Sequence, residues 1–417
     1  MIDPNIIKDN PELVKKAALS KGVELDVEKI NATTWKAKEL QTKVESLRGQ
    51  RNKLNEELSK SRNEESLKRA TELKADLDKL EKELKESAPQ IKAEYYKIPN
   101  LPKEDVPVGK DETGNEIIRK HKEPTKFDFT PVDHLELGEK WDLIDVTRAA
   151  KVSGSRFAYL KNEAVLLEFG LVQFALKTLI KEGFTPIVPP VLVNQDITEG
   201  LGYWQGPGST DYYHIKEPEG ESDLYLVGTA EHSLVPMHKD EVLENLPKRY
   251  VGFSTSFRRE AGTYGKDTRG IMRVHQFDKV EMVSFVKEED DDKEHEFLLS
   301  LEEKLFQELA VPYQVVKMCT GDLGFPIARK YDIEAWIPSQ NRYREVTSAS
   351  TTTDFQARRL NIRYKTESGT KFAHILNGTA FAVGRTIIAI LENYQQKDGS
   401  VKIPEVLVPY VGKEIIG

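Results

Sequence analysis

Phe257-Arg258-Arg259-Glu260-Ala261-Gly262, followed after a polar loop by Gln276-Phe277-Asp278-Lys279-Val280-Glu281, is the stretch on which the fold turns. It reads as two strands joined by a long loop holding Gly262, Gly265 and Gly270 with the cations Lys266, Arg269 and Arg273. Alternate strand residues face opposite sides of a sheet. Val251, Phe253, Thr255 and Phe257 therefore share one mainly apolar face, and Gly252, Ser254, Ser256, Arg258 and Glu260 share the other. On the second strand Phe277, Lys279 and Glu281 share a face opposite Val280 and Met282. Such a surface suits a nucleotide: guanidinium on phosphate, ring on base, carboxylate on metal or amine. An ordinary hairpin with a solvated charged face satisfies the same alternation, so the pattern alone leaves both readings open.

A chain of 417 residues is too long for one typical domain, and two or three are expected. With 38% hydrophobic residues, 16 Phe and 15 Tyr it builds a sizeable core and is not a disordered protein. The single cysteine, Cys319, excludes a disulfide framework and a Cys-based zinc site. Nothing at Met1-Ile2-Asp3-Pro4-Asn5 reads as a charged-then-apolar signal, and no 18-residue apolar run is present. A cytoplasmic protein without membrane association is the expectation. The net charge of −8 argues against general nucleic-acid coating but leaves room for a local basic face.

Residues 36–98 stand apart. Apolar or small residues recur at Ala37, Leu40, Val44, Leu47, Leu54 and Leu58, and again at Ala70, Leu73, Leu77, Leu80, Leu84, Ala88 and Ile91. This is the heptad spacing of two helices joined by a polar turn near Ser61-Arg62-Asn63-Glu64, an antiparallel coiled-coil hairpin over about 28–97. One thin seam suits helices that touch only each other, so the arm is expected to project into solvent. Its net charge over 36–98 is +3 and that of the remainder −11, the less acidic part of an acidic chain. A solvated coiled coil with mixed charges accounts for most of this. Pro11 opens a short helix before the arm, and Pro99, Pro102, Pro107, Gly109 and Gly114 read as a linker after it. The division drawn is an N-terminal domain over 1–112 and a second domain over 113–417.

From residue 125 onward helices alternate with strands. An amphipathic helix is expected over Glu163–Glu182. Strands are expected near 224–228, 249–258, 275–286, 313–318, 331–337, 343–348 and 371–377, and a final helix over Ala380–Tyr394. Hairpin-linked strands with segregated helices indicate an α+β fold built on an antiparallel sheet. Familiar nucleotide loops are missing. Gly262-x-x-Gly265-Lys266-Asp267-Thr268 fails as a P-loop, because Glu260 stands in the first glycine's place and Asp267 follows the lysine. Gly200-x-Gly202-x-x-x-Gly206 misses the dinucleotide spacing, and His232 and His238 have no third metal ligand at a suitable spacing. Any ATP must lie on the sheet.

Together these residues resemble the class II aminoacyl-tRNA synthetases, and among them the seryl-tRNA synthetase family, over essentially the whole chain. The first class motif is similar to the helix ending in Phe184-Thr185-Pro186-Ile187-Val188-Pro189-Pro190, whose Pro190 the resemblance puts at a homodimer interface. The second resembles Phe257-Arg258-Arg259-Glu260 through His275-Gln276-Phe277, and the third Asn377-Gly378-Thr379-Ala380-Phe381-Ala382-Val383-Gly384-Arg385. Thr229-Ala230-Glu231, Thr320 to Phe325, Glu345-Val346-Thr347-Ser348, Asp354 to Arg359 and the helical arm narrow the likeness to serine. Mild departures are Gly228 for a frequent proline, His232 for an apolar residue and Thr379 for a frequent serine.

The resemblance implies serine activation by ATP to seryl-adenylate and pyrophosphate, then acyl transfer to the terminal adenosine of tRNA(Ser). It implies Arg258 on the α-phosphate and Arg385 on the γ-phosphate, with Arg259, Glu260, Val274 and Phe277 around the nucleotide. Glu345 and Ser348, with Val346 and Thr347 between them, hold Mg2+ at the phosphates. Thr229, Ala230, Glu231, Arg258, Glu281, Asn377 and Thr379 line the L-serine pocket. Arg48, Arg51, Lys53, Arg62, Lys68 and Arg69 are candidate phosphate contacts of an arm that engages the long variable arm of the tRNA across the dimer. Members of this family often charge tRNA(Sec) as well, which the sequence leaves open. The alternative is a non-catalytic paralogue that binds RNA or protein; such proteins commonly lose phosphate-binding arginines or the metal carboxylate, and this chain keeps both.

Overall fold

The computed structural model describes the chain except residues 61–63, 204–210 and 262–268 and the side chains of Thr34, Ala37, Lys38 and Lys60. Arg62, the loop glycines Gly262 and Gly265, Lys266 and Gly206 lie outside the described residues. Contacts divide the chain into Met1–Pro99 and Asn100–Gly417.

In the first unit, α1 (Pro4–Asp9) is capped by the Asp3 carboxylate, which accepts from Asn5 N at 2.8 Å, and α2 begins at Pro11 as expected. The arm is α3 (Val27–Lys60) and α4 (Glu64–Tyr96), 34 and 33 residues, or about 50 Å each at ~1.5 Å per residue. Leu40, Val44, Leu54 and Leu77 are buried in its seam, while Leu47, Leu58, Leu73, Leu80 and Leu84 are half-buried. The thin seam is the result of helices with one apolar stripe each; the remaining faces carry charge. Arg48 donates across it to Glu81 at 2.8 Å.

In the second unit the segment after Pro99, expected as linker, is bonded in. Asn100 Nδ2 donates to Pro326 O at 2.9 Å and Thr352 O at 2.7 Å, and Lys103 pairs with Asp291 at 2.5 Å. Gly109 and Gly114 pack on Cys319 with no room for a Cβ. Proline and glycine there serve close packing rather than an open connection, and the unit therefore starts ahead of the boundary drawn at 112.

The principal sheet has eight strands. In chain order they are β1 (Glu116–His121), β2 (Thr185–Ile187), β3 (Lys248–Phe257), β4 (Gln276–Val286), β5 (Tyr313–Lys317), β6 (Arg329–Ile337), β7 (Arg342–Thr351) and β8 (His374–Ala382). Their spatial order is β1-β5-β6-β7-β8-β4-β3-β2. Every neighbouring pair is antiparallel except the edge pair β2–β3, which is parallel. Helices α5 (His134–Lys140), α6 (Glu163–Lys181), α7 (Glu231–Leu234), α8 (Asp291–Glu308), α9 (Phe355–Leu360) and α10 (Val383–Tyr394) complete the elements used below. Leu167, Leu171 and Phe174 of α6, Leu298, Leu305 and Phe306 of α8 and Ile387, Ile388 and Leu391 of α10 bury one sheet face with Val280, Met282, Ile333 and Ala335. Val280 and Met282 thus face the core, as alternation requires, and the opposite face is left for chemistry.

The C-terminal region departs from expectation at one point. Ala380-Phe381-Ala382 continue β8 instead of opening the last helix, because Phe381 and Ala382 pair with Val280 and Lys279 of β4; α10 starts at Val383. Apolar runs of this length fit either element, and here the partner strand decides.

Candidate active site

Phe277↔Ser256, Lys279↔Ser254 and Glu281↔Gly252 are opposed pairs of β4 and β3, so all six share the face turned from the core. Two bulges extend that face onto β7 and β8. Opposite Ile333 and Glu334 the register of β7 jumps from Thr347 to Glu345, leaving Val346 as an extra residue. Opposite Val280 and Glu281 that of β8 jumps from Phe381 to Thr379, leaving Ala380 extra. In regular strands Glu345 and Ser348, or Thr379 and Ala382, would face opposite sides. The bulges bring each pair to one surface.

Two adjoining cavities open on this face. Arg258, Glu260, Val274, Phe277, Val346, Thr347, Thr379 and Arg385 line the first; Thr229, Glu231, Glu281 and Asn377 line the second. Arg258, Lys279, Glu345 and Ser348 line both and mark their junction.

In the first cavity the Arg258 guanidinium lies 5.3 Å from the Phe277 ring centroid, its Nε donating to Gly228 O at 3.2 Å. Arg385, just inside α10, donates through Nη1 to Glu345 Oε2 at 3.0 Å and through Nε to Met272 O at 3.3 Å. Burial pushes the Glu345 carboxyl up, but Lys330 and then Arg385 outweigh it and hold the group well below the usual carboxylate range. Glu260 takes a left-handed φ of +52° and accepts from Arg273 Nη1 at 2.7 Å. The far wall is fixed from α5: Ile271 N donates to His134 Nε2 at 3.2 Å, and His134 Nδ1 meets Glu392 Oε1 of α10 at 3.1 Å. Gly270, at φ +70°, is required there, since a Cβ would lie 2.0 Å from His134 Nε2.

The second cavity is an acidic, hydroxyl-lined cup. Lys279 Nζ stands 2.5 Å from Glu281 Oε2 and 3.2 Å from Thr229 Oγ1, and Thr379 Oγ1 donates to Glu281 Oε2 at 3.2 Å. Glu231 accepts from the Tyr203 hydroxyl at 2.9 Å and from Gln356 Nε2 of α9 at 2.9 Å. Burial pushes the Glu231 carboxyl up to about 7, against the pull of those donors. Burial, with Arg258 and Lys279 nearby, lowers His232 to about 3; its neutral ring accepts from Gly228 N at 3.2 Å.

Two expected residues line neither cavity. Ala230 is fully buried beside Leu234, and Arg259, next to Arg258, has its backbone N bonded to Asp211 O at 3.1 Å. On the arm Arg51 is half-buried and Lys53, Lys68 and Arg69 are exposed, while Arg48 is engaged with Glu81. Sequence reasoning missed Lys279, Lys330, Tyr203 and Gln356 as site residues. Lys279 had a signal in its alternation with Phe277 and Glu281, and Gln356 lay inside a quoted motif. Tyr203 and Lys330 had none. Among the described residues no cluster of three or more His, Cys, Asp or Glu is arranged to hold a metal, and no helix is long and apolar enough to cross a membrane.

Comparisons with known proteins cover both units of the chain. The model of the tRNA synthetase class II core domain (G, H, P, S and T) matches residues 213–394, and that of the seryl-tRNA synthetase N-terminal domain matches 1–102. The chain is 44% identical over 421 residues to the serine–tRNA ligase of Dictyoglomus turgidum, covering 99% of this chain and 98% of that one. The seryl-tRNA synthetase of Pyrococcus horikoshii, solved in complex with ATP, superposes with a TM-score of 0.88 at 42% identity over 100% and 99% of the two chains. The cytoplasmic serine–tRNA ligase of Naegleria fowleri, solved with AMP, gives 0.83 at 30% identity over 100% and 98%. The fold is thus that of a class II synthetase core. The chain belongs to the seryl-tRNA synthetase family, the serine–tRNA ligases.

Proposed function

We propose that this chain activates L-serine with ATP and passes the seryl group to the terminal adenosine of a serine tRNA. The observation that carries the reading is the meeting of two cavities over Arg258, Lys279, Glu345 and Ser348. One suits a nucleotide, with Phe277 under adenine, Val274 at its edge, Arg258 on the α-phosphate and Arg385 on the γ-phosphate. The other suits a small hydroxylated ammonium, gripped by Thr229, Glu231 and Glu281, with Asn377 and Thr379 beside it.

The serine carboxylate is ionised at neutral pH and needs no general base to attack the α-phosphorus. Rate enhancement then rests on positioning and on neutralising charge that develops on phosphate oxygens. Arg258 is cationic throughout and forks two donors toward an oxyanion. Arg385 reaches the phosphates by giving up its pairing with Glu345. Glu345 is held ionised beside Ser348 and fits a Mg2+ arriving with the nucleotide, which takes one or two protein ligands and keeps its remaining positions for phosphate and water. Such an ion supplies charge neutralisation at the phosphates. Alanine is rejected because the groups built for the hydroxyl go unpaired, whereas threonine is excluded by crowding one methyl, worth ~1–3 kcal/mol.

For RNA, a long helical pair carrying Arg51, Lys53, Lys68 and Arg69 suits a shape- and phosphate-led grip on a helical branch. Exposed Leu166, Phe169 and Ile180 on α6, with Pro190 beyond its end, support a homodimer, and the cytoplasm is the proposed compartment. The deciding assay is serine-dependent exchange of pyrophosphate into ATP, run with each of the twenty amino acids. Serine alone supports full exchange, and Arg258→Ala loses it at least a hundredfold, or ~2.7 kcal/mol. A wild-type preparation silent with serine removes the reading.

A further inference from the structure

We propose that Lys279 is a placeholder for the substrate ammonium: its side chain occupies the amino-group position in the empty site and is exchanged onto the substrate carboxylate when an α-amino acid binds. The proposal rests on the serine-activating reading above and adds to it a residue that selects for α-amino acids as a class.

Glu281 is 1% exposed, and burying a charged carboxylate without a counter-charge is costly. Lys279 Nζ supplies it at 2.5 Å, from a side chain itself nearly fully buried. The same Nζ is 3.2 Å from Thr229 Oγ1, and Thr379 Oγ1 completes the shell of Glu281 at 3.2 Å. The ammonium therefore already sits among the groups that suit the amino group of serine. A second ammonium entering beside it would meet the repulsion of a like charge in the same shell. Lysine has a flexible four-carbon stem, so its head can leave without moving β4.

Where it can go is set by the junction. Lys279 lines both cavities, together with Arg258, Glu345 and Ser348. That is where a substrate carboxylate meets the α-phosphate, and both are anions. A ligand with ammonium and carboxylate on one carbon compensates the exchange fully: its ammonium takes Glu281, and its carboxylate takes Lys279. A ligand with the ammonium alone displaces Lys279 and gives it no partner. A ligand with the carboxylate alone leaves Lys279 on Glu281 and the cup blocked. Glu231, Tyr203, His232, Arg258, Lys330 and Glu345 are among the other titratable or charged groups lining this cavity; Tyr203 is bonded to Glu231, His232 and Arg258 are bonded to the Gly228 backbone, and Lys330 and Glu345 pair at 3.9 Å.

The test is calorimetric titration of the full-length protein with serine, ethanolamine and glycerate. On wild type, serine binds, glycerate does not, and saturating formate strengthens ethanolamine binding by supplying the missing carboxylate. In Lys279→Gln ethanolamine binds about tenfold tighter than in wild type while serine binds about tenfold weaker, a typical coupling between two charges in one site. The formate effect disappears in that variant. A merely structural lysine would weaken both ligands together. The proposal is overturned if ethanolamine binding to wild type is indifferent to formate, a result independent of whether any variant folds. It is equally overturned if Lys279→Gln loses affinity for ethanolamine and serine alike. Wild type that binds no serine defeats instead the reading on which the proposal stands.

Discussion

Glu231 illustrates how one residue links burial to substrate choice. Its carboxyl is 2% exposed, bonded to Tyr203 and Gln356, and raised by burial to about 7. A neutral carboxyl has no charge for an ammonium, so serine binding should improve as pH rises through that value. We expect the KM for serine in pyrophosphate exchange to fall several-fold between pH 6 and 8, and Glu231→Gln to raise it and flatten the profile. A wild-type KM independent of pH would exclude this role. Glu302 of α8 is the contrasting case, lining neither cavity. Fully buried, it accepts from Thr347 Oγ1 at 2.7 Å, and burial lifts its pKa well above the usual carboxylate range. Its folded-state pKa exceeds the unfolded one, so its stabilisation is complete at acid pH and is lost as pH rises toward the folded value. Glu302→Gln retains an acceptor for Thr347 and carries no such penalty. It should melt roughly 2–4 °C above wild type at pH 9 and no higher at pH 4, by calorimetric scanning.

At the scale of the element, the bulges and the α5 clasp do what regular strands cannot. One extra residue in β7 and one in β8 turn Glu345 and Ser348, and Thr379 and Ala382, to a common face. The clasp fixes the wall opposite them: His134 accepts from Ile271 N, Arg269 Nε donates to Asp133 at 2.6 Å, and Glu392 of α10 orients the imidazole. Since Ile271 and Met272 line the first cavity and Met272 O holds Arg385, loosening the clasp should affect ATP and spare serine. His134→Ala is expected to raise the KM for ATP about tenfold, the effect of losing one hydrogen bond (~0.5–1.5 kcal/mol) with some positioning. The KM for serine should change less than twofold, and His134→Gln, which keeps an acceptor, should recover part of the loss. Equal changes in both KM values would show a general folding defect instead.

Over the whole molecule, the two cavities and the arm proposed to grip RNA fall in different units. Every residue lining the two cavities lies within Asn100–Gly417, and the arm lies within Met1–Pro99. Deleting residues 36–97 should leave serine-dependent exchange near normal and abolish charging of serine tRNA. If both activities fell together, the arm would be needed for the second unit to fold. With the full chain, log affinity for tRNA should fall with log salt by about 0.7–0.9 per phosphate contact, measured by filter binding. A salt-independent affinity would contradict a phosphate-led grip.

The alternation of Phe277, Lys279 and Glu281 against Val280 and Met282 was legible without any structure, because a period of two fixes which side chains share a face. So was the arm, whose heptads follow from the helical period, and so were most strands, bounded by turn residues. Tertiary structure alone decided the rest. Whether Ala380-Phe381-Ala382 is strand or helix depended on β4 as a partner, and whether Glu345 and Ser348 converge depended on an extra residue at Val346. Tyr203, Lys330 and Gln356 meet the site across long sequence separations, and His134 reaches Ile271 only through the packing of α5. Local periodicity records what a residue does to its own element. Which residues meet across elements is set by strand pairing and burial, and no single stretch of sequence contains that information.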